Sequence, residues 1–303
     1  GGLMGLSMEN DLQGTLFVPG LDDGQASYEW MFRTRELVLQ QNTPVRISFL
    51  FCQKLSPGAV AFIGGLIRLA QSKQISVIVE WDTVIDETVL KFLRHNGFSE
   101  FFGGRSHGWD SHCIPYREDR FEDCNSVMDY LTDNWIGRGW LQVSERLKNA
   151  IAGKMWEIYT NSFEHGLSPV GVFSCGHHYS NKNELVLTVI DFGVGIATNV
   201  KDFLRSDPRS ARLSSSACVE WALQRGNTTS NLNVARGLGL DFLRNFVILN
   251  EGSLEIYSNS AHALINKDGV TVKEIESNFS GTLVQIKLQC DERLYSFKNE
   301  VNS

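Results

Sequence analysis

The segment E-I-Y-T-N-S-F-E-H-G, residues 157–166, decides how the C-terminal half of this chain is read. Upstream of it, Leu147, Ile151, Met155 and Ile158 recur at spacings of four, four and three. That is the period of an amphipathic helix, so a helix is expected over 140–166. Gly166 and Pro169 are placed to end it. Glu157, Asn161 and His165 lie four apart and would stack on one helix face. Such a face is either a polar solvent surface or an array aiming a carboxylate and a carboxamide at one ligand. Taken alone, the segment favours the solvent surface.

Two glycine-rich segments follow. In I-D-F-G-V-G-I, residues 190–196, Asp191 closes an apolar strand and Gly193 and Gly195 permit a backbone path closed to other residues. In A-R-G-L-G-L, residues 235–240, glycines lead into an amphipathic helix. The backbone amides of Gly237, Leu238, Gly239 and Leu240 would point at an anion at that helix's start. Strands are expected at 170–174, 184–190, 254–258, 270–275 and 282–288, with a helix near 214–224. Each motif alone is weak: an ordinary glycine turn accounts for either.

Their order and spacing are more specific. The three segments resemble the N-box, G1 box and G2 box of the GHKL ATPases (gyrase, heat-shock chaperone, histidine kinase and MutL), in that family's order. Gly281-Thr282 resembles the family's Gly-Thr adenine-pocket motif. The resemblance covers about residues 140–290 and implies a two-layer α/β sandwich that binds ATP and Mg²⁺. It implies that Asp191 accepts the adenine amino group, with Thr282 supporting it through a water. It gives Asn161 the role of Mg²⁺ ligand and Glu157 that of general base. Gly193, Gly195, Gly237 and Gly239 would let the backbone approach the nucleotide, and 198–233 would form a flexible lid. Arg236 would contact the β- or γ-phosphate or be a solvated lid residue; His165 would touch phosphate or only cap its helix. One departure is Ala235, where the family's G2 box usually begins with glycine.

The N-terminal half alternates strands and helices, an α/β arrangement. Residues 45–51 and 75–80 read as strands, 59–71 and 87–96 as helices. Ser56-Pro57-Gly58 suits a helix start, with Ser56 as N-cap and Pro57 in the first turn. This half loosely resembles the STAS domain of anti-sigma-factor antagonists; a generic α/β sandwich is the rival. The STAS resemblance would make Ser56 a phosphorylation site, but the plain N-cap is the favoured reading. The expected organisation is therefore 1–12 disordered or a tag, 13–104 STAS-like, 105–139 a linker region that packs on something, 140–290 the ATP-binding domain and 291–303 a tail.

Composition bounds the function classes. The chain has 303 residues and a formal net charge of −7. That charge argues against direct nucleic-acid contact, which usually needs a basic face, and against a polybasic membrane role. No apolar run has the length of a membrane span, and 1–8 lacks the marks of a signal peptide, so a cytoplasmic protein is expected. The six cysteines are scattered and read as free, mostly buried thiols. The set His107, His112, Cys113 and Cys124 fits no usual zinc spacing.

Three functions follow from the GHKL resemblance. The first is a Mg-ATP-dependent conformational switch with slow hydrolysis, acting on a protein partner in a regulatory complex. The second is a serine/threonine kinase of the anti-sigma type acting on a STAS-like partner. The third is a nucleotide sensor that does not hydrolyse ATP. A homodimer is compatible with each.

Overall fold

The computed structural model describes residues 14–105, 108, 110, 112–224 and 240–300. The chain is a mixed α/β protein in which sheets are flanked by helices. Its first part is a parallel three-stranded sheet, order β1-β2-β3, from β1 (Thr15–Phe17), β2 (Val45–Ser48) and β3 (Val77–Glu80). The crossovers are α1 (Gln25–Leu39) and α2 (Pro57–Ser72), and α3 (Glu87–His95) and α4 (Phe98–Phe101) follow β3.

The second part is a five-stranded antiparallel sheet, order β4-β5-β6-β8-β7. Its strands are β4 (Cys113–Asp119), β5 (Val172–Tyr179), β6 (Glu184–Asp191), β7 (Ser253–Asn266) and β8 (Gly269–Gln289). Between β4 and β5 run α5 (Cys124–Asp129), which continues as a π-helical segment Tyr130–Ile136, and α6 (Glu145–Asn161). Between β6 and β7 lie α7 (Ile196–Phe203), α8 (Ser215–Leu223) and α9 (Leu240–Asn250).

Local chemistry starts these helices where the side chains allow it. Ser56 accepts from the Ala59 amide at 3.1 Å, Asp86 from Thr88 and Val89, and Ser144 from Leu147 at 3.2 Å. Pro57, the first residue of α2, needs no donor there.

The large sheet is covered on both faces, so its central strand β6 is buried almost throughout. One face carries α6 and α9, with Ile151, Met155, Tyr159 and Phe246 against Leu187, Val189, Ile256 and Ile286. The other carries α1 and α2, with Phe32 and Phe62 against Phe173, Ile190, Phe192 and Phe279. Helix α2 is buried nearly all round because it lies between the two sheets.

The stretch 105–139, expected as a linker region with one helical stretch near 125–135, supplies that helix as α5 and its π-helical continuation, and also the edge strand β4 of this second unit. Its signal is weak because β4 pairs on one side only and carries Pro115, Arg117, Glu118 and Asp119 among its apolar residues. The helix expected over 140–166 is shorter at its start, where Ser144 caps it, and changes pitch at Ser162. The three strands expected at 254–288 are two long ones joined at residues 266–269, with a register shift around Asn259. Polar residues such as Asn259, Ser260 and His262 hide the continuation of β7, whose Ala261, Ala263 and Ile265 face the core.

Candidate functional site

The site is centred on Asp191, the last residue of β6. Strand alternation turns Ile190 and Phe192 toward α1 and α2, and Asp191 toward α6. Helix α6 ends in a π-helical turn, Ser162–Gly166. Ser162, the residue after Asn161, reaches the carboxylate from the end of α6. Ser162 Oγ donates to Asp191 Oδ2 at 2.8 Å, and the Gly193 amide donates to Oδ1 at 2.9 Å. Asp191 is only 1% exposed. Burial pushes its carboxyl up to about 6, opposed by the bonds from Gly193, Ser162 and the Thr282 amide. Ser162 and Gly193 bond different carboxylate oxygens, and a carboxylate, with about four lone-pair sites, keeps acceptor capacity for a ligand donor.

The glycine bend after Asp191 is pressed against the end of α6. A Cβ on Gly193 would lie 1.6 Å from the Gly166 carbonyl oxygen, which also accepts from the Val194 amide at 2.7 Å. Gly195 has φ +87°, and a Cβ there would meet Asn259 Oδ1 at 2.3 Å. Both positions therefore need glycine, one for close approach and one for handedness as well.

Strands β7 and β8 lock the far side of the bend. Ser258 Oγ accepts from the Ile196 amide at 2.8 Å and donates to the Gly281 carbonyl at 2.7 Å. Asn259 accepts from the Ala197 amide at 3.0 Å and donates to the Val194 carbonyl at 3.1 Å. Thr282 pairs directly opposite Asp191 across the β6–β8 ladder, and its hydroxyl lies 3.2 Å from Ser258 Oγ.

The structure thus brings Asp191, Gly193, Gly195 and Thr282 together. Glu157 and Asn161 lie on α6, on the last turns before Ser162, and both are half-buried. Glu157 pairs with Lys154 at 2.7 Å. His165 sits in the π-helical turn; its carbonyl accepts from Asn199 at 2.8 Å and its ring nitrogen is 3.8 Å from Glu164. The change of pitch takes His165 off the strict four-residue spacing that relates Glu157 to Asn161. Leu240, the first residue of α9, is buried and lines a cleft of about 740 Å³ with residues of α8 and the outer part of the β7–β8 hairpin. Arg236, Gly237, Leu238 and Gly239 lie outside the described residues, as does most of the segment's approach to α9.

Three residues escaped the reading of the sequence: Ser162, Ser258 and Asn259. A four-residue spacing rule through Glu157, Asn161 and His165 skips Ser162, one residue further round the helix. Ser258 and Asn259 carry no motif of their own, and their role depends on a register shift.

Ser56 is buried, and its hydroxyl also donates to the Asp22 carbonyl at 3.3 Å. It caps α2, on the face of the large sheet opposite Asp191. Cys52, Cys113, Cys175 and Cys218 are buried free thiols, Cys290 is half-buried and Cys124 is exposed. Of the zinc set considered above, His107 lies outside the described residues. Among the described residues, no group of three or more His, Cys, Asp or Glu side chains could hold a metal ion, and no helix is long and apolar enough to cross a membrane. Comparison with protein-family models returns no match, and a search of curated proteins finds none.

Proposed function

We propose that this chain is a cytoplasmic ATP-binding protein of the GHKL type, acting as a Mg-ATP-dependent switch with slow hydrolysis. The observation that carries this reading is the buried Asp191 carboxylate at the meeting point of a helix end, a glycine bend and Gly281-Thr282. An isolated buried carboxylate with its proton affinity raised is unfavourable for folding, and such groups concentrate at functional sites. Its spare acceptor capacity suits an exocyclic amino group, as adenine presents.

The chain's own residues would divide the work as follows. Asp191 accepts from the adenine amino group, with Thr282 beside it. Gly193 and Gly195 let the bend pack against Gly166 and Asn259, which holds its backbone beside the ligand. Asn161, one turn beyond Glu157, supplies an oxygen ligand for Mg²⁺. Since Mg²⁺ keeps several waters and binds through substrate phosphates, one protein oxygen is compatible with it. Bound Mg²⁺ supplies charge neutralisation of the phosphates. Glu157 would orient the attacking water and accept its proton, which requires it to share or release Lys154. Arg236 and the amides of 237–240 would close over the phosphates.

The switch reading has its own support. Phe192, next to Asp191, packs against Phe62 of α2 with ring centroids 5.4 Å apart. A shift of the glycine bend on nucleotide binding would press directly on the N-terminal half, and so on a partner docked there.

The kinase reading in its intramolecular form meets an obstacle. The large sheet separates Ser56 from Asp191, and the Ser56 hydroxyl is buried and already bonded. Phosphotransfer to a separate STAS-like protein carries no such obstacle.

Titration with ATP in the presence and absence of Mg²⁺ tests the assignment. Asn161→Ala is expected to bind ATP equally with and without Mg²⁺, while the wild type gains affinity from the metal. Glu157→Ala should bind ATP normally and hydrolyse it roughly 100-fold more slowly, the scale of a lost general base. Radiolabelled γ-phosphate appearing on a protein instead of in solution would turn the reading toward the kinase. Hydrolysis unaffected by Glu157→Ala would remove its assigned role.

A further inference from the structure

A second cleft, of about 750 Å³, lies between the two halves of the chain. It opens beyond the carboxyl ends of β1 and β2, where ligands are commonly bound on parallel sheets. The loops that follow those strands contribute Asp22, Asp23, Lys54 and Ser56. Helix α3 contributes Val89 and Phe92, and the large sheet closes the other side with His177, Tyr179, Glu255 and Lys287. The volume is that of a small-molecule site.

Most charges here are already matched. Asp22 accepts from the Gly24 amide and Ser27 and lies 3.7 Å from Lys54. Glu255 accepts from His262 at 2.8 Å and from Tyr257. Asp23 is different. Its Oδ1 is buried without a hydrogen-bond partner, and burial raises its proton affinity. Lys287 is near enough for its charge to act on this carboxylate, yet among the described residues no ion pair joins them. The buried Nδ1 of His177 also lacks a partner, its ring set edge-on against Phe92 and Tyr179. Buried polar groups without partners are rare in native proteins and call for an explanation.

We propose that this cleft binds an α-amino acid or a ligand ending in one: its ammonium group bonds Asp23, its carboxylate bonds Lys287, and its side chain lies against Val89, Phe92 and Tyr179. Opposite charges that line one cleft without pairing match a ligand that carries both charged groups on one carbon. One such ligand satisfies both groups, whereas a simple anion or a simple amine satisfies one and leaves the other without a partner. The site is separate from Asp191 and does not depend on the nucleotide reading.

The test is thermal-shift and calorimetric titration of the full chain with the proteinogenic L-amino acids. For each, the amine lacking the carboxylate and the acid lacking the amine serve as controls. At least one amino acid is expected to raise the melting temperature, with either control binding at least tenfold more weakly. Asp23→Asn and Lys287→Ala should each weaken binding at least tenfold, and Asp191→Asn should leave it unchanged. Without ligand, Asp23→Asn should melt higher than the wild type at neutral pH, because a carboxylate with one buried, unbonded oxygen has been removed. No stabilisation by any amino acid at millimolar concentration overturns the proposal. So does binding that survives both substitutions, or a ligand-free Asp23→Asn protein that melts lower than the wild type.

Discussion

Asp191→Asn is expected to weaken ATP binding roughly 30- to 100-fold, about 2–3 kcal/mol, while leaving the protein folded. That is the scale of one hydrogen bond to a charged group. The asparagine can keep the local network. Its oxygen can accept from Gly193, and its amide can donate to Ser162, whose hydroxyl can turn to the Ile158 carbonyl 3.1 Å away. What it loses is acceptor capacity toward the ligand, since one of the two oxygens becomes a donor.

The same substitution should change stability in the opposite direction. The folded-state carboxyl is pushed up to about 6 from an ordinary 3.8. A group whose folded form holds its proton more tightly destabilises the fold as pH rises through that window. The wild type should therefore lose roughly 3 kcal/mol between about pH 4 and pH 6 from this group, and Asp191→Asn should not. Urea denaturation of both proteins across this range measures it. If the variant is less stable than the wild type at pH 7, Asp191 is a structural residue and the binding argument loses its main support.

The second large effect is expected at Gly65 in α2. A Cβ placed there would come within 2.1 Å of Phe192 Cε2 and 2.9 Å of Phe173 Cδ2, both buried. Helix α2 cannot retreat, because the small sheet lies behind it; Gly64, its neighbour, meets Tyr116 of the large sheet just as closely. Gly65→Val should cost about 3 kcal/mol, the upper range for overpacking a core. Because the strained ring belongs to the residue after Asp191, ATP affinity should fall as well. Denaturant midpoints and ATP titration of this variant test whether the halves are coupled. Unchanged stability would mean that α2 is not held against the large sheet in solution.

How far the sequence disclosed this arrangement depends on the kind of signal. Apolar residues at helical spacing marked α2 and α6, each of which also has a capped start. The strand β6 was legible as an apolar run interrupted only by Thr188, as suits a strand buried on both faces. Edge strand β4 was not, because a strand paired on one side can carry charge. The joint packing of α1 and α2 on the large sheet was also hidden: nothing local in F-I-G-G-L states that Gly64 and Gly65 meet Tyr116 and Phe192. At the site, the glycines and Asp191 were visible because their residue types are restricted by backbone geometry and charge. Ser162, Ser258 and Asn259 were not, because Ser162 lies off the four-residue spacing of its segment and the role of Ser258 and Asn259 depends on a register shift. The roles given to Arg236, Gly237, Leu238 and Gly239 belong to residues outside the described part of the chain.

Discrimination between purine nucleotides bears most directly on the central claim. In the proposed pocket the Asp191 carboxylate meets a base edge that must donate a hydrogen bond. Adenine offers an amino group there, while guanine offers a carbonyl oxygen, which a carboxylate repels. Calorimetric titration of the wild-type chain with Mg-ATP and Mg-GTP should show saturable binding of ATP and at least roughly 100-fold weaker binding of GTP, the scale of a mismatched buried polar pair. Equal affinities, or no binding of either nucleotide at millimolar concentration, would contradict the account.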